Sequence, residues 1–435
     1  MCFNDQECSI IEQQLDKALE RPYGPEFNLE LAIHAIGDKS QDELLLKYKD
    51  IITFLQISFY PNNPRYLQPS CEFRNLNELV INTGVHIGLD EIFMVEEMLS
   101  KYGDKLEHFG LHSFKSSSEC GLRVPNLSNL KSLEFYNVDR NTVFDLLNMV
   151  SIQNISRLHL SRVDNFAGVD VGYFAMPNIK SIKLELESLF SWGIIKLDKD
   201  TLVEIDITRN ISLSFGEDLP IGEVEQIHLP NLKILRINGF DETASISLIK
   251  GSAQTLVKLH LNDIKLNDND FNEISFPNLK YLSIDCKSVI EFIRRTQDTL
   301  VELEVGWFND ISNITEANPI KFYKLKTLSI AKREDALYFI RSASDTITRL
   351  NINGCHKTNQ RYLKDLEVTN LKTIVFHRYT SNTAMLAFIR LGVNTITKLI
   401  IGNKVITPEK LDKLKHILKI VKNVNAGELD SILNS

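Results

Sequence analysis

The chain repeats a short pattern of apolar residues, Φ-x-x-Φ-x-Φ, where Φ is Leu, Ile, Val or Phe. Clear copies are Leu232-x-x-Leu235-x-Ile237 and Leu256-x-x-Leu259-x-Leu261. The alternating Φ-x-Φ part is typical of a strand with one buried face. Counted from its first apolar residue, the pattern occurs fifteen times at intervals of 21 to 30 residues, at Ile52, Leu76, Leu106, Leu130, Ile155, Ile179, Leu202, Leu232, Leu256, Leu279, Leu300, Leu325, Ile347, Leu371 and Ile396. A weaker sixteenth copy is Leu29-x-Leu31.

The residues between the copies are long enough to return the chain to the start of a parallel strand, which needs a dozen residues or more. Several connections have helical spacing, as at Val289, Phe292 and Ile293. The triplet Phe-Ile-Arg recurs from Phe292, Phe339 and Phe388. One repeat cannot bury its own apolar face, so the repeats must stack. The pattern predicts an α/β solenoid, with a curved parallel sheet on the concave face and helices and loops on the convex face.

Two kinds of repeat alternate along the chain. One begins with Pro-Asn-Leu or a relative, as at Pro177-Asn-Ile and Pro277-Asn-Leu. The other begins with Asp-Thr-Leu-Val or a relative, as at Asp200-Thr and Asp298-Thr. Helix-like connections mostly follow the first kind, and the connections after the second kind are predicted to be loops.

The two ends depart from the repeat. Residues 1–24, with Ile10, Ile11, Leu15 and Leu19 at helical spacing, predict an N-terminal capping helix. Residues 25–403 form the predicted repeat array. Residues 404–435 predict a C-terminal helical cap, because Thr407-Pro408-Glu409 is typical of a helix start and an apolar stripe follows at Leu411, Leu414, Leu418 and Val421. A partner-binding helix is the alternative for this segment.

Composition limits the classes of function. The net charge of −8 argues against non-specific nucleic-acid binding, which needs a strong basic excess. The six cysteines include no Cys-x-x-Cys pair, which favours a reducing compartment. The N-terminus lacks the apolar core of a secretory signal, and no stretch has the length of a membrane span. We therefore predict a cytoplasmic or nuclear protein that does not bind membranes.

The sequence holds no motif of a known catalytic or cofactor site. Phosphate loops, dinucleotide fingerprints, zinc-protease motifs and nucleophile elbows are all missing from it. His108 and His112 share one face of a predicted strand, with Gly110 between them. Because no carboxylate or cysteine adjoins them at ligand spacing, we interpret them as exposed surface histidines rather than metal ligands. The prediction is a protein without catalytic residues, cofactor or metal.

Binding is then assigned to the outward positions of the strands, which would align into a strip on the concave face. A wide set of these positions includes Glu134 and Lys183. The predicted partner-binding residues within it are Tyr136, Arg157, His159, Glu185, Glu204, Asp206, Arg236, His260, Tyr281, Asp285, Glu302, Glu304, Trp307 and Arg349. Tyr136, Tyr281 and Trp307 have the aromatic character of binding hot spots. The alternative is that these residues form ordinary solvated strand faces.

Over residues 25–405 the pattern resembles the leucine-rich-repeat family, and it predicts about 15 repeats. The Pro-Asn-Leu-Lys-x-Leu-x-Ile start is most similar to the repeats of eukaryotic F-box leucine-rich-repeat proteins. The resemblance implies a non-catalytic scaffold that binds a protein partner. It also leaves open a substrate-recognition subunit of a ubiquitin ligase that binds an adaptor, or a regulator of another enzyme. The Leu-Pro pair that opens an F-box is not found at the start of this sequence. The family's asparagine position holds Asn210 in one repeat, but Val138, Val163 and Ile264 in others.

Overall fold

The computed structural model describes residues 29–34, 46–58, 72–83, 89–114, 127–150, 152–163, 170–185, 188–209, 227–266, 271, 274–287, 290–306, 319–331, 338–354, 366–377 and 380–420. The chain divides into two compact units, Met1–Asp218 (unit 1) and Leu219–Ser435 (unit 2). Each unit is treated by itself below. The predicted helix in residues 1–24 and the last part of the predicted C-terminal cap, 421–435, lie outside the described residues.

Unit 1 contains a parallel sheet in which each strand pairs with the next one along the chain. Its described strands are β1 (Leu29–His34), β2 (Ile52–Ser58), β3 (Glu78–Asn82), β4 (His108–His112), β5 (Ser132–Tyr136), β6 (Arg157–Ser161), β7 (Ser181–Glu185) and β8 (Glu204–Thr208). Its described α-helices are α1 (Leu89–Tyr102), α2 (Arg140–Met149) and α3 (Ser188–Asp198), and short 3₁₀ helices span Ile152–Asn154 and Val171–Phe174.

Unit 2 repeats this arrangement, again with parallel pairing between consecutive strands. Its described strands are β9 (Ile234–Asn238), β10 (Lys258–Lys265), β11 (Tyr281–Lys287), β12 (Glu302–Val305), β13 (Thr327–Ala331), β14 (Arg349–Asn353), β15 (Thr373–Phe376), β16 (Lys398–Ile401) and β17 (Lys404–Val405). The last of these pairs antiparallel with β16. The described helices are α4 (Glu242–Ser252), α5 (Ile290–Thr296), α6 (Tyr338–Ser342), α7 (Asn382–Leu391) and α8 (Pro408–Ile420).

The predicted α/β class and parallel strands are confirmed at every copy of the apolar pattern. A strand begins at Ile52 for the first copy and two residues after the anchor for each of the others, and the weak copy at Leu29 is the strand β1. Buried and partly exposed side chains alternate along a strand such as β5. Leu133 and Phe135 are buried there, whereas Ser132, Glu134 and Tyr136 are partly exposed. We call the side of each sheet that carries these alternate residues its polar face.

Asparagine immediately before the anchor explains the Asn-Leu starts. Its side-chain amide donates to a backbone carbonyl of the preceding repeat, as from Asn178 Nδ2 to the Gln153 oxygen at 2.7 Å and from Asn278 Nδ2 to the Gln254 oxygen at 2.8 Å. Asn75, Asn129, Asn154 and Asn370 make equivalent bonds. The recurrent asparagine therefore joins neighbouring repeats, at a position other than the one that the family resemblance indicates. Asn210 lies outside the described residues, and Val138, Val163 and Ile264 are buried.

Threonine has the same position in the repeats that begin with Asp-Thr. The Thr299 hydroxyl donates to the Thr296 carbonyl at the end of α5, at 3.1 Å, and the Thr255 hydroxyl donates likewise to the Ser252 carbonyl. The side chain therefore satisfies a carbonyl that the end of a helix leaves without an intrahelical donor. Both motifs are thus explained by the joints between repeats, and neither is left over for a binding site.

The helical connections α3 to α7 agree with the prediction, whereas most residues of the connections that are predicted to be loops lie outside the described residues. The helices α3 to α7 each follow a repeat of the Asn-Leu kind, apart from α6, which follows the repeat at Leu325. The three phenylalanines of the Phe-Ile-Arg triplets, Phe292, Phe339 and Phe388, are fully buried. At the C-terminus Leu411, Leu414 and Leu418 of α8 are buried, and α8 contacts β16. This is the apolar stripe expected of a cap, although Val421 lies outside the described residues.

Candidate functional site

The polar face of unit 1 is ordered in rows, because the parallel strands pair without a register shift from β2 to β8. The first row, at the strand starts, contains Glu78, His108, Ser132, Arg157, Ser181 and Glu204. The third-residue row contains Val80, Gly110, Glu134, His159, Lys183 and Asp206. Residues that lie 23 to 30 positions apart in the sequence are therefore direct neighbours across the sheet.

Glu134 lies at the centre of a cluster of three imidazoles. Its Oε1 is 3.1 Å from His159 Nδ1 and 3.2 Å from His112 Nε2, and its Oε2 is 3.9 Å from His108 Nε2. The four side chains are each between 19% and 27% exposed. We call these four residues the histidine–glutamate cluster. The prediction that His108 and His112 are exposed surface residues is wrong, because the next strand brings a carboxylate against them.

Glycine at position 110 explains how two histidines of one strand reach the same carboxylate. Gly110 is the direct neighbour of Glu134 in the sheet, and it is buried. Since it has no side chain, the space beside Glu134 is left to His108 and His112, which flank it on the same face. A Cβ atom at Gly110 would approach Val80 Cγ2 to 3.1 Å. The spacing His-x-Gly-x-His thus allows both histidines to contact the Glu134 carboxylate on the adjacent strand.

The electrostatics of the cluster differ between its members. The neighbouring His112 and His159 side chains hold the pKa of the Glu134 carboxyl far below its usual range, despite its burial. Burial lowers the pKa of His108, and the nearby Glu134 and Glu78 only partly oppose this. His112 Nε2 is within ion-pair distance of Glu134, yet in the described part of the chain it makes no hydrogen bond with acceptable angles. The carboxylate is therefore charged at neutral pH, and His108 is biased towards its neutral form.

A polar groove of about 340 Å³ lies beside this cluster. Its charged and hydroxyl-bearing lining residues come from β3 to β7 and from the residues just before β4 and β5: Glu78, Glu107, His108, Lys131, Ser132, Glu134, Arg157, His159, Ser181 and Lys183. Lys131 Nζ is 2.8 Å from Glu107 Oε1, and the His108 Nδ1 atom is 2.9 Å from the Ser132 hydroxyl. We call this the unit-1 groove.

A second group of contacts follows the strand ends next to the groove. The Arg162 guanidinium lies 5.3 Å from the centre of the Tyr136 ring and 3.4 Å from Glu185 Oε1. The Ser161 hydroxyl donates to Glu185. The rings of His112 and Tyr136 are 5.8 Å apart, which connects this group to the histidine–glutamate cluster. Arg162 has a left-handed backbone with φ of 52°, the conformation that turns the chain away from the sheet after β6.

Unit 2 has a simpler polar face. The Tyr281 hydroxyl donates to Glu304 Oε2 at 2.8 Å, and the His260 ring lies 4.6 Å from the Tyr281 ring. Burial and the adjacent Glu304 carboxylate raise the pKa of Tyr281, so the tyrosine keeps its proton. Burial lowers the pKa of His260, helped by the nearby Arg236. Further along this face, Asn351 Nδ2 donates to the Ser329 hydroxyl.

The residues predicted for partner binding lie on these faces as far as the structure describes them. Four converge around the unit-1 groove and its edge: Tyr136, Arg157, His159 and Glu185. Glu204 and Asp206 are on the adjacent strand β8. In unit 2 the face carries Arg236, His260, Tyr281, Asp285, Glu302, Glu304 and Arg349, of which His260, Tyr281 and Glu304 are in contact. Trp307 lies outside the described residues.

The prediction missed the centre of the cluster. His108, His112 and Glu134 are all among the many outward positions of the predicted strip, but the sequence pattern does not group them. The available signal was the strand-to-strand offset: aligning the anchors Leu106, Leu130 and Ile155 places His108, Glu134 and His159 on adjacent strands.

Metal-binding clusters and membrane-spanning helices are both absent from the described residues. No group of three or more histidine, cysteine, aspartate or glutamate side chains there is arranged to hold a metal ion. Among the helices that the structure describes, none combines the length and the apolar character needed to cross a bilayer.

Comparison with known proteins adds no assignment, since no protein-family model and no curated protein matches the chain.

Proposed function

We propose that the chain is a leucine-rich-repeat solenoid that binds a protein partner on its polar face and catalyses no reaction. The repeat type is supported by the recurring Φ-x-x-Φ-x-Φ pattern and by parallel pairing of consecutive strands within each unit. In such an array the polar face is the concave one, and the helices lie on the convex side.

The observation that carries the proposal is the groove beside the histidine–glutamate cluster. Arg157, His159 and Lys183 come from β6 and β7 and line the groove. Tyr136, two residues after Glu134 on β5, has the Arg162 guanidinium 5.3 Å from the centre of its ring. Arginine and tyrosine are enriched among the residues that contribute most to protein interfaces. The groove is lined mostly by charged and hydroxyl-bearing side chains, which suits the side chains of another protein better than a small apolar ligand.

The test is recovery of partners by the tagged full-length chain and by matched charge-reversal variants. Arg157→Glu with Lys183→Glu alters the unit-1 groove, and Glu302→Lys with Glu304→Lys alters the face of unit 2. Glu97→Lys, on the exposed side of α1, is the control. A partner recovered by the wild type and the control should decrease at least tenfold with one of the face variants.

Undiminished recovery with both face variants would refute binding through the polar face. Recovery of a ubiquitin-ligase adaptor by all variants alike would instead favour the substrate-recognition function. Circular dichroism of each variant ensures that lost recovery reflects the altered surface rather than unfolding.

A further inference from the structure

We propose that the unit-1 groove binds an acidic segment of the partner and takes up protons on its histidines when it does so. The inference rests on the proposed function, because it specifies the chemistry of the partner that the same face would bind. Three observations carry it: the balance of charges in the groove, the charges that are already paired, and the shortage of carboxylates around the imidazoles.

The groove is electrically balanced only while its histidines are neutral. Three carboxylates line it, Glu78, Glu107 and Glu134, and so do three cations, Lys131, Arg157 and Lys183. His108 and His159 line it as well. Histidine is the side chain whose charge ordinarily changes between pH 5 and 8. Each groove imidazole that gains a proton therefore gives the groove a net positive charge.

The charges that are not already paired are mainly basic. Glu107 is paired with Lys131, and Glu134 is shared by His112 and His159. Within the described part of the chain, Arg157 and Lys183 make no ion pair. Arg157 also has a serine on each side in its row, Ser132 and Ser181, so small side chains leave space around the guanidinium. An exposed planar cation with open space around it can bind a carboxylate through two hydrogen bonds.

Apart from Glu78, the surrounding carboxylates have partners of their own. On β3 to β5 the groups facing the imidazoles are Glu78, Lys131, Glu134 and Tyr136. On β6 to β8 they are Arg157, Arg162, Lys183, Glu185, Glu204 and Asp206. Glu185 is held by Arg162 and Ser161, and Glu204 accepts from the Ser181 hydroxyl at 3.3 Å. Glu78 is the acidic lining residue for which the described structure shows no ion pair.

The imidazoles outnumber the carboxylate that they share. Glu134 can balance one imidazolium and Glu78 lies near His108, so protonation of all three imidazoles would leave an uncompensated charge beside Arg157. Burial together with Arg157 opposes the protonation of His108. A carboxylate from the partner would supply the missing negative charge and so favour the protonated imidazoles. By linkage, binding then takes up protons, and affinity increases as the pH falls.

The probe is a short acetylated peptide of alternating glutamate and serine, titrated into the full-length chain at constant ionic strength. We expect the Kd to be at least tenfold lower at pH 5.5 than at pH 7.5. Calorimetry in buffers of different ionisation enthalpy should show net proton uptake on binding, which tests the linkage without any mutation. A matched lysine–serine peptide is the control for the sign of the charge.

Variants separate the parts of the site. Arg157→Ala with Lys183→Ala should weaken the peptide at least tenfold at both pH values. His108→Gln with His159→Gln should keep the binding at pH 7.5 and remove most of its pH dependence. His228→Gln, at an exposed histidine before β9 of unit 2, is the control and should change neither.

The proposal is overturned by a pH-independent Kd, by binding without proton uptake, or by stronger binding of the lysine peptide. It is equally overturned by the absence of any peptide binding at pH 5.5. These results leave the proposed function intact if the partner is still lost with a charge-reversal variant. Conversely, if the peptide binds but both charge-reversal variants still recover the partner, the proposed function is refuted and the peptide site is not.

Discussion

Glu134 on β5 and Glu304 on β12 have the same position in their strands, yet their surroundings differ. In unit 1 the neighbouring strands contribute three histidines to the carboxylate, and Gly110 leaves the space for two of them. In unit 2 the residues directly beside Glu304 are Ser283 and Ser329, and a tyrosine hydroxyl donates to it. Tyrosine keeps its proton throughout the physiological range, whereas histidine does not. The face of unit 1 can therefore respond to pH through the histidines around Glu134. In unit 2 the Tyr281–Glu304 pair at the equivalent position gives no such response.

The connections beneath the faces show a second difference. The position three residues before the Thr of each Asp-Thr start lies at the end of the connecting helix. In unit 1 this position is occupied by Asp198, whose carboxyl is buried. Unit 2 has Ser252, Thr296, Ala343 and Gly392 at that place. The hydroxyls of Ser252 and Thr296 donate to carbonyls of their own helices. Asp198 instead accepts from the Met176 backbone N–H at 3.0 Å.

The largest expected effect tests whether the two cores are equivalent despite their different faces. Leu133→Ala in β5 and Leu303→Ala in β12 should each lower the free energy of unfolding by about 3 kcal/mol, because a buried cavity forms in either case. Both leucines are 1% exposed. Urea unfolding followed by circular dichroism measures the loss, with Glu302→Ala as an exposed control of small effect. A loss below ~1 kcal/mol in one unit only would show that the cores are not equivalent.

The buried carboxyl of Asp198 predicts that unit 1 becomes more stable when its charge is removed. Burial raises the pKa of Asp198 from its ordinary value of 3.8 to about 6. The folded state therefore binds this proton more tightly, and its stability decreases as the pH rises from about 4 to 6. Asp198→Asn keeps an acceptor for Met176 and avoids the buried charge, so it should stabilise the chain by roughly 2–3 kcal/mol above pH 6.

The measurement is the unfolding free energy of Asp198→Asn and of the wild type at pH 4 and pH 7. The advantage of the variant should be small at pH 4 and present in full at pH 7. A variant that is equally stabilising at both pH values, or destabilising at pH 7, would contradict a desolvated carboxyl at this site.

The two glutamates at equal positions should differ in their contribution to stability. Glu134→Gln is expected to cost about 1–2 kcal/mol at pH 7, because charge-assisted contacts to two histidines are weakened. Glu304→Gln should cost less than ~0.5 kcal/mol, since its side chain is exposed and a glutamine oxygen can still accept from Tyr281.

The pH dependence of the Glu134→Gln effect follows from the lowered pKa of Glu134. Its contribution is present above the ordinary glutamate pKa of 4.5 and is lost as the pH falls through the lower value of the folded state. Parallel unfolding curves at pH 7 and pH 3 should show the difference from wild type shrinking at the lower pH. Equal costs for the two glutamine variants at pH 7 would remove the distinction between the faces.

The smallest effect concerns the asparagine joints, which the two units share. Asn178→Ala and Asn278→Ala each remove one hydrogen bond to the preceding repeat and should cost about 1 kcal/mol. The two losses are expected to be equal within experimental error. Substitution by Asp, which accepts but does not donate, should cost at least as much, and a neutral result for either alanine variant would assign the recurrent asparagine another role.

The sequence by itself determined the repeating architecture. Φ-x-Φ alternation at a nearly constant interval gives each strand one apolar side, and burial of that side leaves little choice of register. For this reason the anchors located the described strands from β1 to β16, and the Phe-Ile-Arg triplets located buried positions of α5 to α7. The same alternation identified which residues face outward, including Arg157, His159 and Tyr281.

Only the tertiary structure decided which outward residues meet. His112 and His159 are separated by 47 positions in the chain, and a sequence pattern that reads one strand at a time shows no carboxylate near either of them. Strand pairing places Glu134 between them, because parallel neighbours align residue by residue while the connections differ in length. The size of the neighbouring side chains then decides which residues are in contact. Gly110 beside Glu134 leaves room for both histidines of β4, whereas a serine lies on each side of the equivalent Glu304.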